Sequence, residues 1–341
     1  MKKTKLFTVF LIFVFTFCLS VVALAKVDES LAQSYLQQAM QNSSKAENLS
    51  FDLELIGTTP LADINMNLNG KYAKPTLFSG NFAMLVNVWI LDTKFNVDTK
   101  IYSEQLTDNN LMQYMKISST PPISKLDPNK WYVQSTKLAP DILNTLKVET
   151  SIEDNLKNIR SINLYEDSKD KIKMRVTYNQ PFLDEEKITQ LLNYTKANES
   201  NDDEAEATKK FYQSMEKLLK DSPKLQIALT KPRNLTYDIT IDKQNMQIVQ
   251  ANADLTNYIR ILNKDILNSI DVEKYSSDKD DKKDVQTFIN IAQNYIARSS
   301  LNMNVRLYNV NVTTVDKISE KDKQRAISFP EDKINEEKII N

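Results

Sequence analysis

The sequence predicts an α+β fold built on one continuous antiparallel β-sheet, with helices inserted between its strands. Three observations predict it. Apolar and polar residues alternate with period two over 49–55 and 64–69, which gives each strand one buried and one wetted face. Elsewhere the period lengthens to that of a helix, first at Ala32, Tyr35, Leu36, Ala39 and Met40. No Pro/Gly/Ser-rich linker divides the chain, so residues 26–341 read as a single domain.

Residues 1–25 have the composition of a secretory signal. Lys2, Lys3 and Lys5 form a basic start, Leu6 to Phe17 is apolar but for two Thr, and Ala23-Leu24-Ala25 is a small-x-small cleavage site before Lys26. An uncleaved anchor is the alternative, since Leu6 to Leu24 is nearly long enough to span a bilayer. Lipidation at Cys18 is disfavoured by the bulky Phe17 before it. Cleavage gives an extracytoplasmic protein, secreted or periplasmic, with no retained anchor. Its only Cys leaves with the signal, so stability must come from burial, not disulfides.

The mature chain opens with the helix at 30–42, followed by the strands at 49–55 and 64–69. The strand at 82–91 differs: Phe82, Met84, Val86 and Val88 lie on one parity, Ala83, Leu85 and Trp89 on the other. A strand apolar on both faces is covered on both or lines a cavity. Further alternating runs fall near 94–102, 111–117 and 131–135. A short helix is expected from Pro140 to Leu146, and Ser151 with Asp154 forms a capping box ahead of Leu156 and Ile159. A strand at 172–178, a helix at 184–195, an acidic loop at 198–206 and a helix through Phe211, Met215, Leu218 and Leu219 follow. Strands return at 224–230, 235–241 and 246–254. Helices at 255–270 and 285–297, separated by a charged loop over 276–284, lead to a last strand at 301–307 and a polar tail interrupted by Ile327-Ser328-Phe329-Pro330.

Composition removes whole classes of chemistry. The chain holds 44 Lys+Arg against 45 Asp+Glu, no His and three Gly. Without His there is neither an imidazole base nor a His-ligated metal, and three Gly are too few for a dinucleotide or phosphate loop. No basic face suits nucleic acid. Ser-x-x-Lys spacings at Ser168/Lys171, Ser214/Lys217 and Ser276/Lys279 arise by chance in a Lys-rich chain and lack companion motifs. Asp278, Asp280, Asp281 and Asp284 imitate a calcium loop, but Lys283 and Ile289 stand where Gly and Glu are needed. The expectation is no enzyme, no metal and no cofactor.

What remains is large apolar side chains on strands: Phe82, Met84, Trp89, Phe95, Met112, Tyr114 and Trp131. Ordinary core is one reading. The functional reading is the wall of a cavity for a lipid-like ligand, roofed by the helices at 255–270 and 285–297.

The chain also resembles secreted bacterial proteins of the LolA/LolB/LppX-like superfamily, including uncharacterised Gram-positive-type lipoproteins. The resemblance rests on the signal, the short helix and alternating strands, Met112-Gln113-Tyr114-Met115-Lys116, Lys130-Trp131-Tyr132, Tyr237 to Lys243 leading into Met246 to Asp254, Tyr308 to Asn311, and Ile327 to Glu331. It implies a half-open antiparallel barrel whose concave face is covered by helices and which holds lipids or acyl chains between them. The chain departs from the pattern in lacking a lipobox. The functional expectation is therefore a non-enzymatic binder of a hydrophobic ligand, with membrane contact. The alternative is a structural or interaction module of the cell envelope with a filled core.

Overall fold

The computed structural model describes residues 31–74, 77–105, 110–123, 126–137, 156–183, 222–271 and 279–329. The signal, the helices expected at 140–146, 184–195 and 211–219, and the loop at 198–206 lie outside the described residues. The fold is α+β, as the alternation predicts. Its centre is a twelve-stranded sheet in the order β12-β6-β5-β4-β3-β2-β1-β11-β10-β9-β8-β7. The strands are β1 (Asn48–Thr58), β2 (Ala62–Ala73), β3 (Leu77–Val88), β4 (Thr93–Gln105), β5 (Asn110–Thr120), β6 (Tyr132–Lys137), β7 (Ile159–Asp167), β8 (Lys171–Gln180), β9 (Arg233–Asp242), β10 (Gln247–Asp254), β11 (Ser300–Tyr308) and β12 (Ile327–Ser328). The order is open, with β12 and β7 at its two ends. β1 to β6 form an antiparallel meander, β9, β10 and β11 pair antiparallel as well, and the two-residue β12 pairs in parallel beside β6.

The chain divides into two compact units, one drawn from Met1–Thr177, Thr236–Asp254 and Leu301–Asn341, the other from Tyr178–Leu235 and Leu255–Ser300. In the first, period two does what it should: Phe51 and Leu53 on β1, Tyr237, Ile239 and Ile241 on β9, and Met303 and Val305 on β11 are buried, and their polar neighbours face the other way. Each such side chain contributes about 1.5–3 kcal/mol relative to exposure. Helix α1 (Leu31–Ser44) packs on β10 and β7 and buries Ala32, Leu36, Ala39 and Met40, four of the five positions of its predicted stripe. The fifth, Tyr35, instead donates from its hydroxyl to Asp167 at the end of β7, which also receives Lys243.

The chain leaves β11 through two left-handed asparagines, Asn309 and Asn311, with φ of 52° and 61°. Asn tolerates this conformation better than other side chains. Asn311 is held at both ends: its N–H donates to the Asn48 carbonyl at 2.8 Å, and its Oδ1 accepts from the Glu47 N–H at 2.7 Å. From there the segment 312–329 reaches the far edge of the sheet. It carries a short helix, α5 (Glu320–Arg325), capped by the Ser319 side chain, and ends with Phe329 buried edge-on against Tyr132. The sequence shows the apolar interruption at Ile327–Phe329; the structure makes it the strand that closes the β6 edge.

The second unit holds the helices α2 (Pro223–Thr230), α3 (Thr256–Asn268) and α4 (Lys279–Ala297), with α3 touching both others. Arg233, buried at the start of β9, donates to the carbonyls of Ala228 and Lys231 and to Asp265 Oδ2 at 2.7 Å.

Four expectations are corrected. The stretch 224–230 is helix α2, because Ser222 caps it and Pro223 occupies its first turn, signals that outweigh the Leu225/Ile227/Leu229 alternation. From Ile159 the chain is strand β7 and not a continuation of the helix expected after Ser151. The loop expected over 276–284 is helical from Lys279 onward, as the first turns of α4. The strand expected at 82–91 ends at Val88, and Trp89–Leu91 form a 3₁₀ turn closed by left-handed Asp92. Among the described residues no helix is long and apolar enough to cross a membrane.

Candidate functional site

Strand register distributes the seven apolar candidates over both faces of the sheet. On β3 and β4, Phe82 opposes Thr99 and Met84 opposes Val97, with Phe95 on the same parity opposite Val86. Tyr102 and Glu104 stand on the other parity, opposite Tyr114 and Met112 of β5. So Phe82, Met84 and Phe95 share one face, whereas Met112, Tyr114 and Trp131 belong to the other. Trp89 lies on neither, being in the turn. No single cavity wall contains all seven.

The second group is covered. Tyr102 and Tyr114 have ring centroids 6.0 Å apart and pack with Ile318 of the C-terminal segment, with Met112, Trp131, Val133 and Ala326 against them. Glu104 sits beside this cluster and accepts from Tyr102 Oη at 2.7 Å and from Lys323 Nζ at 2.7 Å. Burial would raise the Glu104 carboxyl, but the hydrogen bonds from Lys323 and Tyr102 and the Lys323 charge hold it below its ordinary value. Burial, with the bond to Glu104, pushes the Tyr102 phenol up.

A group of exposed apolar side chains lies at one end of the meander. The β1–β2 turn and the β3–β4 turn meet there, tied by a hydrogen bond from the Trp89 N–H to the Leu61 carbonyl at 2.9 Å. Leu61 is 40% exposed, Trp89 51% and Leu91 66%, with Leu85 at 44% and Phe95 at 38% beside them. Thr59 fixes the first turn, its hydroxyl accepting from the Ala62 N–H at 2.9 Å. Phe95 lies on the opposite face from Leu85.

No family model and no curated protein matches this chain. Among solved structures, it is similar to a β-barrel-like protein of a domain of unknown function from Brucella abortus, at 9% identity and a TM-score of 0.21, over 61% of this chain and 86% of that one. It is also similar to a porin-like protein from Bacteroides uniformis, at 8% identity and a TM-score of 0.18, over 62% of this chain and 90% of that one. Neither likeness says what this chain binds.

A second feature lies on the same face as Tyr102, toward the other side of the sheet. Glu54 opposes Asn67, Asn67 opposes Ala83, and Ala83 opposes Asp98, which shares Tyr102's parity. Continuing outward from Glu54, the polar parities of β11, β10, β9 and β8 line a groove of about 670 Å³ that is open to solvent. Asn304 opposes Asn252, which opposes Asp238. Asp238 in turn takes both Arg175 Nε and Nη2, at 2.8 and 2.9 Å. The next row holds Asn302 opposite Asp254, and Thr177 bonded to Thr236 at 3.0 Å. A bulge between Ile248 and Gln250 interrupts the β9–β10 register just before Gln250 enters the groove. Such a bulge bends its strand and sharpens the local twist. The sequence reading missed this groove. The available signal was the carboxamides on the polar parity at Gln250, Asn252, Asn302 and Asn304.

Proposed function

We propose that the protein is a non-enzymatic, extracytoplasmic binding protein for a hydrophobic partner, a lipid or acyl chain, engaged at the apolar end of the meander. One observation carries this reading: Leu61, Trp89 and Leu91 are exposed in two turns tied to one another, with Leu85 and Phe95 exposed on opposite faces of the strands that flank the second turn. A scattered apolar side chain on a surface needs no explanation, but three exposed on two paired turns mark an interaction site. In this reading the signal is cleaved before Lys26, and the sheet is the wall of a half-open barrel with helices over its concave face, as the LolA/LolB/LppX-like resemblance implies. The test is co-sedimentation with phosphatidylcholine/phosphatidylglycerol vesicles and titration with a fluorescent fatty acid. Saturable binding that Trp89→Ala and Leu91→Ser weaken supports the reading; no association in either assay overturns it.

A second reading, a structural or interaction module of the cell envelope, is favoured by the C-terminal segment, which fills the space over Tyr102 and Tyr114. It predicts that neither lipid probe binds and that removing the segment from Asp316 onward costs stability and nothing else.

A further inference from the structure

We propose that the groove across β1, β11, β10, β9 and β8 binds a neutral, polyhydroxylated ligand, a segment of a glycan chain. Its lining reaches Ile56, which shares a cross-strand row with Leu85 through Asn65, but its polar floor on β8 to β11 does not depend on the apolar end of the meander. Its volume of about 670 Å³ falls within the roughly 300–1,000 Å³ typical of small-ligand sites.

The composition of its floor is the first argument. Four side-chain carboxamides, Gln250, Asn252, Asn302 and Asn304, stand on two neighbouring strands. Asn is depleted in strands because its short amide competes with the ladder for backbone hydrogen bonds. A face that is merely wetted is served better by Thr, Lys or Glu. Each carboxamide presents donors and an acceptor together, the same double character as a sugar hydroxyl.

The second argument is that three of the amides hold one another in place. Gln250 Nε2 donates to Asn252 Oδ1 at 3.2 Å and lies 3.3 Å from Asn304 Oδ1. With their oxygens turned to Gln250, Asn252 and Asn304 present their Nδ2 groups as donors. The neighbouring Thr177 and Thr236 hydroxyls are bonded to each other, which fixes that wall too.

Charge then selects the ligand class. The one cation of the lining, Arg175, is held by both oxygens of Asp238. Glu54 and Asp254 add two further carboxylates to the lining. Carboxylates therefore outnumber cations three to one within the lining, with Arg306 at its margin opposite Gln250, and with Arg175 already neutralised this balance disfavours phosphate, sulfate or carboxylate groups. Carboxylates and amides in this mixture accept from and donate to hydroxyls. The openness of the groove suits an internal segment of a longer chain over a small molecule that must be enclosed.

The test is isothermal titration of the purified protein with neutral tetrasaccharides, the β-1,4-linked tetramers of glucose and of N-acetylglucosamine, beside a sulfated heparin tetrasaccharide. The expected result is saturable binding of at least one neutral tetramer and none of the sulfated one. The double variant Asn252→Ala/Asn304→Ala, with an unchanged melting temperature, should weaken that binding by about tenfold or more, the effect of losing two hydrogen bonds. Asn81→Ala, on β3 and outside the groove, should leave it unchanged. Failure of both neutral tetramers to bind the folded protein, equal or better binding of the sulfated one, or binding that the double variant leaves intact would each overturn the proposal.

Discussion

Lys323, on the C-terminal segment, donates to Glu104 of β4 at 2.7 Å, and its ammonium also lies 5.5 Å from the Tyr102 ring centroid. These contacts join two stretches more than two hundred residues apart, and both ionised groups are largely shielded from water. Glu104 titrates below its ordinary 4.5 in the folded protein, because the bonds from Lys323 and Tyr102 overcome the effect of burial. A carboxyl lowered by folding adds stability that is fully present above its unfolded value. That stability is lost as the pH falls through the folded value. Lys323 is raised, chiefly by its bond to Glu104, so its contribution persists across the neutral range and disappears only in strong alkali.

The C-terminal segment is therefore expected to loosen in acid, from about pH 4.5 downward. Hydrogen exchange of the amides over 316–329 reads this directly. Lys323→Met should remove about 1–3 kcal/mol at neutral pH, the worth of a charge-assisted hydrogen bond, and should flatten the acid dependence. Exchange in 316–329 that stays constant from pH 7 to pH 3 would show that the pair does not hold the segment.

Gly70 and Gly80 face each other across β2 and β3, under the ring of Phe78, which stacks on Phe51 at 5.9 Å. A Cβ on Gly80 would lie within 3 Å of both the Asn69 carbonyl oxygen and the Phe78 ring, and one on Gly70 would crowd Ser79 O and the same ring. Backbone cannot yield as a side-chain tip can. Gly80→Ala is thus expected to cost about 1–3 kcal/mol, the range for overpacking. Thermal unfolding of the variant decides it, and an unchanged melting temperature would mean that the strands part more easily than this geometry allows.

How much of this was legible in the sequence follows from the physics of each element. Strands with one wet face read well, because Phe51/Leu53 and Ile239/Ile241 alternate with polar residues and nothing competes. Helix α2 did not, since Leu225, Ile227 and Leu229 also alternate; the decisive signal was local, Ser222 with Pro223, and in the structure Ile227 is exposed. In α4 the helical spacing of Val285, Phe288, Ile289 and Ala292 marks Phe288 and Ile289 alike, yet Ile289 is buried and Phe288 exposed. The candidate site suffered more. Apolar character marked Met84 and Tyr114 alike, but only register shows that they lie on opposite faces. The groove needs β1, β8, β9, β10 and β11 side by side, an adjacency that no local pattern encodes.

In the helical unit, Asp265 receives both Arg233 at 2.7 Å and Lys231 at 3.2 Å, and these bonds hold its carboxyl low against the opposing effect of burial. Asp265→Ala leaves the Arg233 guanidinium buried with only carbonyl partners. The loss should lie near the low end of the roughly 3–5 kcal/mol seen when a buried pair is broken, because Asp265 itself keeps some contact with water. Arg233→Met removes the buried charge together with its need for a partner and should cost less. Urea unfolding of the two variants gives the order, and a larger loss for Arg233→Met would show that the guanidinium's bonds to Ala228 and Lys231 matter more than the ion pair.

Trp89 separates a binding surface from a core by a double measurement. A fully buried aromatic changed to Ala costs about 3–5 kcal/mol, through lost transfer energy and the cavity left behind. Trp89 is half exposed in its turn, and the bond that ties this turn to its neighbour runs from its backbone N–H, which Ala retains. Trp89→Ala is therefore expected to lower stability by less than about 1 kcal/mol, close to an ordinary surface change. The same variant should lose most of the vesicle association, since the indole is a large apolar group already presented to solvent, and transferring it to an acyl environment is what drives contact. Leu91→Ser should follow the same pattern more weakly. Melting temperature and co-sedimentation, measured on the same preparations, must move independently. A Trp89→Ala protein that unfolds at much lower temperature while binding vesicles like the parent would make the indole a packing residue and take the sheet end out of consideration as the lipid site.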